Sequence, residues 1–198
     1  MGQSTSVCAM TDATRPPLDL DAYFPEVRQI TDASLADKVR AVWRDLWAQS
    51  SFDDLASVPT SGEIAYPNVP HTRSVTALAL AIADVLQRFH GTQIDRDVLI
   101  AACLLQDASK LVEYQPKPGG GVEKTPLGRA MPHAFEAARL AAQHGVPLPV
   151  LHIIATHSPS AAKLPETLEG RIVYLADEID VTAIHGDQFV QEQIIRRR

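Results

Sequence analysis

The feature that most constrains this sequence is an uninterrupted apolar segment that runs directly into polar residues. Residues 98–105 read VLIAACLL, and Gln106 and Asp107 follow at once. We interpret the stretch from Asp95 to Lys110 as a helix, and a helix that is apolar on all sides belongs at the centre of a bundle. The fold must therefore surround this helix and also accommodate a buried carboxylate at its end, which is costly unless a cation or hydrogen-bond donors compensate it.

Amphipathic patterns on both sides of this segment predict the surrounding helices. Strand patterns are weak, and the sequence contains no internal repeat. The further helices are predicted from Ser34 as N-cap, from His71 to Phe89, from Pro132 to His144, from Pro147 to His157, and from Arg171 to about His185. The chain is therefore predicted to be all-α, a single compact bundle of about six to eight helices.

The length of 198 residues suits one domain with a substantial core. Residues 1–20 are polar and proline-containing, and we expect a flexible N-terminal arm there, with the helical domain at residues 21–198. Two segments rich in proline and glycine, Val58–Pro70 and Gln115–Pro132, are predicted as loops, and the second is long enough to cover a site. The final stretch QEQIIRRR has a helical, exposed pattern.

Composition limits the function classes. The net charge of -6 gives no basic field for a nucleic-acid polymer, although local basic groups could serve a small anionic substrate. The sequence has neither a secretory signal pattern nor an apolar stretch that could span a membrane. Two cysteines far apart fit reduced thiols better than a disulfide. We expect a cytoplasmic protein without a membrane partner. The sequence does not determine the oligomeric state, and a homo-oligomer is compatible with it.

The informative anomalies are histidines and aspartates at the ends of apolar helices. His71 and His133 each follow a proline at a predicted helix start, and His157 ends a helix. Asp107 follows the central helix, and Asp177 lies on a largely apolar helix face. If the helices pack together, these three imidazoles and two carboxylates could hold one or two divalent ions. Mixed imidazole and carboxylate ligands suit iron, manganese, cobalt or zinc.

These residues lie in segments that resemble the successive motifs of HD-domain metal-dependent phosphohydrolases. The segments are HTRSVTALALA, LIAACLLQDASKLVEY, MPHAFEAARLA, IIATHS and RIVYLADEID, within a core at residues 68–183. The resemblance implies a helical bundle of the HD-domain type in which His71, Asp107 and Asp177 hold one metal. It also implies that Asp107 bridges to a second metal held by His133 and His157.

The same resemblance implies that Lys110 faces the substrate or a nearby carboxylate, and that Asp107 and Lys110 are catalytic. The sequence departs from the family pattern at Gln106, which stands where the family has the histidine of its His-Asp pair. A glutamine oxygen can bind a hard cation, but it binds a transition metal more weakly than imidazole does. Further candidates for contact with an anionic substrate are Arg73, Lys124 and Arg129.

Three functions follow from these patterns. The leading hypothesis is a metal-dependent hydrolase that acts through metal-activated water on a small phosphorylated metabolite or a nucleotide. One alternative is a non-hydrolytic metalloenzyme on the same scaffold, either a di-iron oxygenase or a lyase. The other is a binding or regulatory module in which Gln106 marks the loss of catalysis. The sequence leaves the substrate, the metal and the choice among these functions open.

Overall fold

A computed structural model describes residues 17–62 and 66–186 of the chain. Most of these residues are helical, which confirms the predicted all-α class. The α-helices are α1 (Leu20–Tyr23), α2 (Ala33–Gln49), α3 (Asn68–His90), α4 (Arg96–Leu105), α5 (Lys110–Glu113), α6 (Pro126–Ala130), α7 (His133–Gln143), α8 (Leu148–Thr156) and α9 (Leu168–His185). Short 3-10 turns at Pro25–Gln29 and Leu55–Ser57 join them.

Helix α4 lies at the centre of the bundle, as its composition predicts. It packs against α2, α3, α8 and α9, and every residue from Leu99 to Leu105 is buried. The indole Nε1 of Trp43 in α2 donates a hydrogen bond of 2.9 Å to the carbonyl oxygen of Leu104. Such a bond contributes about 1 kcal/mol of net stability. The contact holds the last turn of α4 in place immediately before Gln106.

Capping residues explain where the helix boundaries differ from the predicted ones. Helix α2 begins one residue before Ser34, because Asp32 is the N-cap and accepts a hydrogen bond from the backbone N–H of Leu35. Helix α9 begins before Arg171, because Thr167 accepts from the N–H of Gly170. Helix α3 begins at Asn68, so that His71 lies in its first turn.

The prediction of a loop over Gln115–Pro132 is wrong for part of that segment. Strands β1 (Tyr114–Pro116) and β2 (Val122–Lys124) form an antiparallel hairpin, and α6 follows it. Glycines 119–121 have positive φ values of 78° to 105° and make the turn. Strands of three residues are too short to give a clear alternating pattern. Helix α6 then packs so close to α5 that a Cβ on Gly128 would overlap the carbonyl oxygen of Glu113.

Several expectations concern residues that the structure does not describe. Residues 1–16 of the expected N-terminal arm and the expected helical tail at 191–198 lie outside the described residues. Among the helices that are described, none combines the length and the apolar character needed to cross a membrane.

Candidate metal centre

Asp107 occupies the turn directly after α4, and its two carboxylate oxygens face two different groups of side chains. Oδ2 lies 3.2 Å from Nε2 of His71. Oδ1 lies 3.2 Å from Nε2 of His133 and 3.7 Å from Nε2 of His157. The carboxylate is buried, with 5% of the residue exposed. Asp107 therefore belongs to two sets of potential metal ligands at once.

The first set, which we call the His71 cluster, consists of His71, Asp107 and Asp177. It forms because α3 and α9 pack against each other and against α4. His71 is completely buried, and its Nε2 atom lies 3.1 Å from Oδ1 of Asp177. One imidazole and two carboxylates are a suitable donor set for a divalent ion.

A third carboxylate, that of Asp180, fixes the orientation of the His71 ring. Nδ1 of His71 lies 2.7 Å from Oδ2 of Asp180, and Ser74 donates a hydrogen bond to the other oxygen of that carboxylate. Burial opposes the charged imidazolium, but the carboxylates of Asp107, Asp177 and Asp180 outweigh it and raise the pKa of His71 to about 12. A cation bound between Asp107 and Asp177 would compete with that proton for the same negative charge.

The second set, which we call the His133 cluster, consists of Asp107, His133 and His157. His157 caps the C-terminus of α8, and its Nδ1 donates to the carbonyl oxygen of Ile154 at 2.7 Å. This bond turns Nε2 toward the cluster, where it lies 3.2 Å from Nε2 of His133. His133 is the first residue of α7, and 17% of its side chain is exposed.

Charges around the His133 cluster shift its pKa values in different directions. Burial and the positive charge of Lys110 lower the pKa of His133 to about 3. Burial also opposes the charged form of His157, but Asp107 outweighs it and raises the pKa of that imidazole. Burial disfavours the Asp107 carboxylate, yet Lys110 and the neighbouring imidazoles hold its pKa well below the usual range. Asp107 is therefore ionised at neutral pH.

Lys110 is a buried ammonium group one turn beyond Asp107. Its Nζ lies 3.0 Å from Oε2 of Glu113, and Nζ of Lys124 lies 3.0 Å from the other oxygen of Glu113. Burial lowers the pKa of Lys110, but the charges of Asp107 and Glu113 outweigh it and raise the pKa. The group thus carries a fixed positive charge beside both clusters.

Among the buried atoms that form no hydrogen bond of acceptable geometry, three belong to the predicted metal ligands: Nε2 of His71, Oδ1 of Asp107 and Oε1 of Gln106. Gln106 is completely buried, and the one contact of its amide nitrogen is long, at 3.5 Å from Oδ1 of Asp177. A buried polar atom without a partner costs about 1–3 kcal/mol. A divalent ion would provide each of these atoms with a partner, so the donor set fits a metal.

Both clusters open into one cavity of about 290 Å³. Lys110 lines the same cavity, together with hydroxyl side chains from the segments after Val58 and after His157, namely Thr60, Ser61, Ser158 and Ser160. The arrangement can therefore place a small polar molecule against both groups of ligands and against the ammonium of Lys110.

The structure brings together the six residues predicted as metal ligands, which are His71, Gln106, Asp107, His133, His157 and Asp177. It does not bring the other predicted substrate contacts to the cavity. Arg73 forms an ion pair of 2.9 Å with Glu26, Lys124 pairs with Glu113, and Arg129 donates to the carbonyl oxygen of Lys124. Only Lys110 among the predicted cations lines the cavity in the described part of the chain.

The sequence reasoning missed Asp180 and Ser74, which orient His71. A signal for Asp180 exists, because it follows Asp177 by three residues and therefore lies on the same face of α9. Ser74 carries the matching signal on α3, three residues after His71. Neither signal distinguishes a buried hydrogen bond from an ordinary polar surface position.

Two comparisons with known proteins give matches. A model of the HD domain family matches residues 69–182, more than half of the chain. A dihydroneopterin 2',3'-cyclic phosphate phosphodiesterase from Methanocaldococcus jannaschii is 34% identical over 113 residues, which cover 57% of this chain and 45% of the relative. The match thus spans less than half of that protein's length. No solved structure gives a significant match. On the evidence of the family model, this chain belongs to the HD domain family.

Proposed function

We propose that this chain is a metal-dependent phosphohydrolase that cleaves a phosphoester bond in a small phosphorylated molecule. The observation that carries the proposal is the position of Asp107 between the His71 cluster and the His133 cluster, with Lys110 beside it in the same cavity. A carboxylate between two ligand sets is suited to a pair of ions, and a neighbouring cation is suited to an anionic substrate.

The metal ligands are proposed from this geometry. His71, Asp107 and Asp177 would hold one ion with Gln106 beside them, and Asp107, His133 and His157 would hold a second. Iron, manganese, cobalt and zinc are all compatible with these donors. A divalent ion at these ligands supplies a water of low pKa and neutralises charge on a phosphoryl oxygen.

The side chains of the chain itself have separate tasks in this proposal. Asp107 remains ionised and accepts a hydrogen bond from the attacking water, which orients that water. Lys110 donates to a phosphate oxygen, and Glu113 positions its ammonium group through their 3.0 Å ion pair. The hydroxyls that line the cavity offer hydrogen bonds to the rest of the substrate. A cavity of about 290 Å³ favours a small molecule over a polymer.

The name of the Methanocaldococcus jannaschii relative indicates which substrates to try first. That protein acts on a 2',3'-cyclic phosphate, and we propose cyclic phosphodiesters as the first class for this chain. Linear phosphomonoesters and nucleotides form the second class.

The test is phosphoester hydrolysis by protein that has been stripped of metal and reloaded with Mn²⁺, Fe²⁺, Co²⁺ or Zn²⁺. The substrates are a 2',3'-cyclic nucleotide, a 5'-nucleotide, p-nitrophenyl phosphate and bis(p-nitrophenyl) phosphate. We expect turnover of at least one of them. Asp107→Ala should lower kcat/KM more than about 100-fold, because loss of an outer partner of a metal ligand already costs about 10–100-fold.

Asp84→Ala is the matched control, since Asp84 is an exposed carboxylate on α3 that pairs with Arg96. It should retain the activity of the parent protein. Equal hydrolysis by the Asp107→Ala variant and the parent would contradict the proposal. So would iron-dependent oxygen consumption without hydrolysis of any of these phosphoesters, including opening of the cyclic phosphate to a phosphomonoester.

A further inference from the structure

We propose that the two clusters prefer different classes of divalent ion. The His71 cluster together with Gln106 favours an oxygen-preferring ion such as Mn²⁺, whereas the His133 cluster favours an imidazole-preferring ion such as Zn²⁺. This inference rests on the proposed function only in assuming that both clusters hold metal. Zn²⁺ binds most nitrogen and oxygen sites more tightly than Mn²⁺ does. The inference therefore concerns the ratio of the Mn²⁺ affinity to the Zn²⁺ affinity, compared between the two clusters.

The first argument is the difference between the donor atoms. Around the His71 cluster, one imidazole nitrogen stands with carboxylate oxygens from Asp107 and Asp177 and with the amide of Gln106. In the His133 cluster, two imidazole nitrogens stand with one oxygen of Asp107. Carboxylate and carbonyl oxygens suit Mn²⁺ and Mg²⁺, while imidazole suits zinc and later transition metals.

The second argument is the state of the Gln106 side chain. It is completely buried, its amide nitrogen has only a 3.5 Å contact with Asp177, and its oxygen has no partner. Rotation of the amide exchanges its oxygen and nitrogen, so either atom can face Oδ1 of Asp177. With the oxygen on that side, the amide contributes a neutral oxygen donor to an ion at the His71 cluster, in addition to the two carboxylates.

The third argument is the difference between the neighbouring charges. The His71 cluster has a further carboxylate behind it, because Asp180 lies 2.7 Å from Nδ1 of His71. The positive charge of Lys110 acts on Asp107, which both clusters share, and also on His133, which belongs to the other cluster alone. Extra negative charge favours binding that is mainly electrostatic, as with Mn²⁺. Near a fixed cation, the strength of the metal–nitrogen bonds matters more, and this favours Zn²⁺.

The test isolates each cluster in the full chain and measures metal binding without any assay of hydrolysis. His157→Ala leaves the His71 cluster, and Asp177→Ala leaves the His133 cluster. Mn²⁺ affinity is read from loss of the electron paramagnetic resonance signal of the free ion. Zn²⁺ affinity is read by competition with a chromophoric chelator. The Mn²⁺ to Zn²⁺ affinity ratio should be at least about 10-fold higher in the His157→Ala protein.

Substitutions at Gln106 then test the role of its amide. In the His157→Ala protein, Gln106→Leu should lower the Mn²⁺ affinity at least about 10-fold, and Gln106→His should shift the ratio toward Zn²⁺ by a similar factor. In the Asp177→Ala protein, Gln106→Leu should change Zn²⁺ binding by less than about twofold. Gln93→Leu, at an exposed glutamine, is the matched control and should change neither affinity.

Equal ratios in the two single-cluster proteins would overturn the inference, as would an unchanged Mn²⁺ affinity in Gln106→Leu. If Gln106→Leu fails to fold by circular dichroism, the comparison of ratios, which keeps Gln106, still decides the matter. The two proposals fail separately. Unequal ratios without hydrolysis would refute only the proposed function, and hydrolysis with equal ratios would refute only this inference.

Discussion

Two groups of charged residues in this molecule are built in opposite ways. One is a surface ion-pair group that consists of Asp21, Arg28, Asp37 and Arg40. Asp21 contacts Arg28 at 3.0 Å and Arg40 at 2.8 Å, and Arg40 also reaches Asp37 at 3.2 Å. The other is the buried group around Asp107, in which carboxylates face mainly imidazoles.

The difference lies in whether the negative charges already have permanent partners. In the surface group, two aspartates meet two guanidinium groups that never lose their charge. In the buried group, Asp107, Asp177 and Asp180 surround one imidazole, and the nearby Lys110 also pairs with Glu113. Buried charge without full compensation is costly for stability. The contrast teaches that the surface group is compensated within the fold, whereas the buried group has the incomplete compensation expected of the metal site that we propose.

The substitution with the largest expected effect on stability is His71→Ala, and it tests this contrast directly. The substitution removes the group that faces three buried carboxylates, and loss of one partner from a buried charge network costs about 3–5 kcal/mol. We expect the free energy of unfolding of the metal-free protein to fall by that amount at neutral pH. Urea denaturation followed by circular dichroism measures it.

The matched control is His90→Ala, at an exposed histidine that ends the same helix. It should change the free energy of unfolding by less than about 1 kcal/mol. If the two variants are equally stable, the carboxylates around His71 do not depend on its ring for compensation.

An intermediate effect, on metal affinity, is expected from Asp180→Ala. This substitution tests whether Asp180 supports the His71 cluster alone or both clusters. Asp180 holds Nδ1 of His71 and touches neither His133 nor His157 in the contacts described above. Loss of such a partner should lower metal affinity at the His71 cluster about 10–100-fold. Calorimetric titration of the His157→Ala background measures this loss, and Ser74→Ala should show a smaller one.

The same substitution provides its own control in the other cluster. In the Asp177→Ala background, Asp180→Ala should leave metal affinity within about twofold. An equal loss at both clusters would show that Asp180 supports the fold of the site in general rather than the orientation of His71.

The smallest effect, on the pH dependence of stability, is expected from Asp21→Asn in the surface group. The guanidinium groups of Arg40 and Arg28 lower the pKa of Asp21 from 3.8 to about 2. The ionised carboxylate therefore stabilises the fold above the unfolded-state pKa, and this contribution is lost as the pH falls through the folded-state value. A partly exposed pair of this kind is worth about 0.2–1 kcal/mol.

Thermal denaturation of the parent and of Asp21→Asn from pH 7 to pH 2 measures this contribution. The parent should have the higher Tm at pH 7, and the two values should converge as the pH approaches 2. A difference in Tm that is the same at every pH would contradict an electrostatic origin.

Much of the fold follows from the sequence, because helical periodicity and capping residues act locally. The central position of α4 follows from the apolar segment at 98–105, and each of the six helices of nine or more residues in the described chain was predicted. The end of α4 was predicted wrongly, because the helix stops at Leu105 and a turn separates it from Lys110. The hairpin was missed, since strands of three residues leave almost no pattern.

The candidate site was less accessible to local reasoning. The resemblance to a known family indicated which histidines and aspartates to combine, and periodicity alone could not have joined His71 to Asp177 across 106 residues. The contacts of Arg73 with Glu26 and of Asp180 with His71 depend on how α3 packs against other elements. Such contacts between distant segments leave no signature in a single sequence.

The hydrogen bond from Trp43 to the carbonyl oxygen of Leu104 has a practical consequence. The chain contains two tryptophans, Trp43 and Trp47, and both lie in α2. The indole of Trp43 contacts the backbone only two residues before Gln106, so its fluorescence reports on the position of that backbone without any label. Emission that shifts when an ion is added would reveal movement at the end of α4, and unchanged emission would mark the helix end as a rigid support.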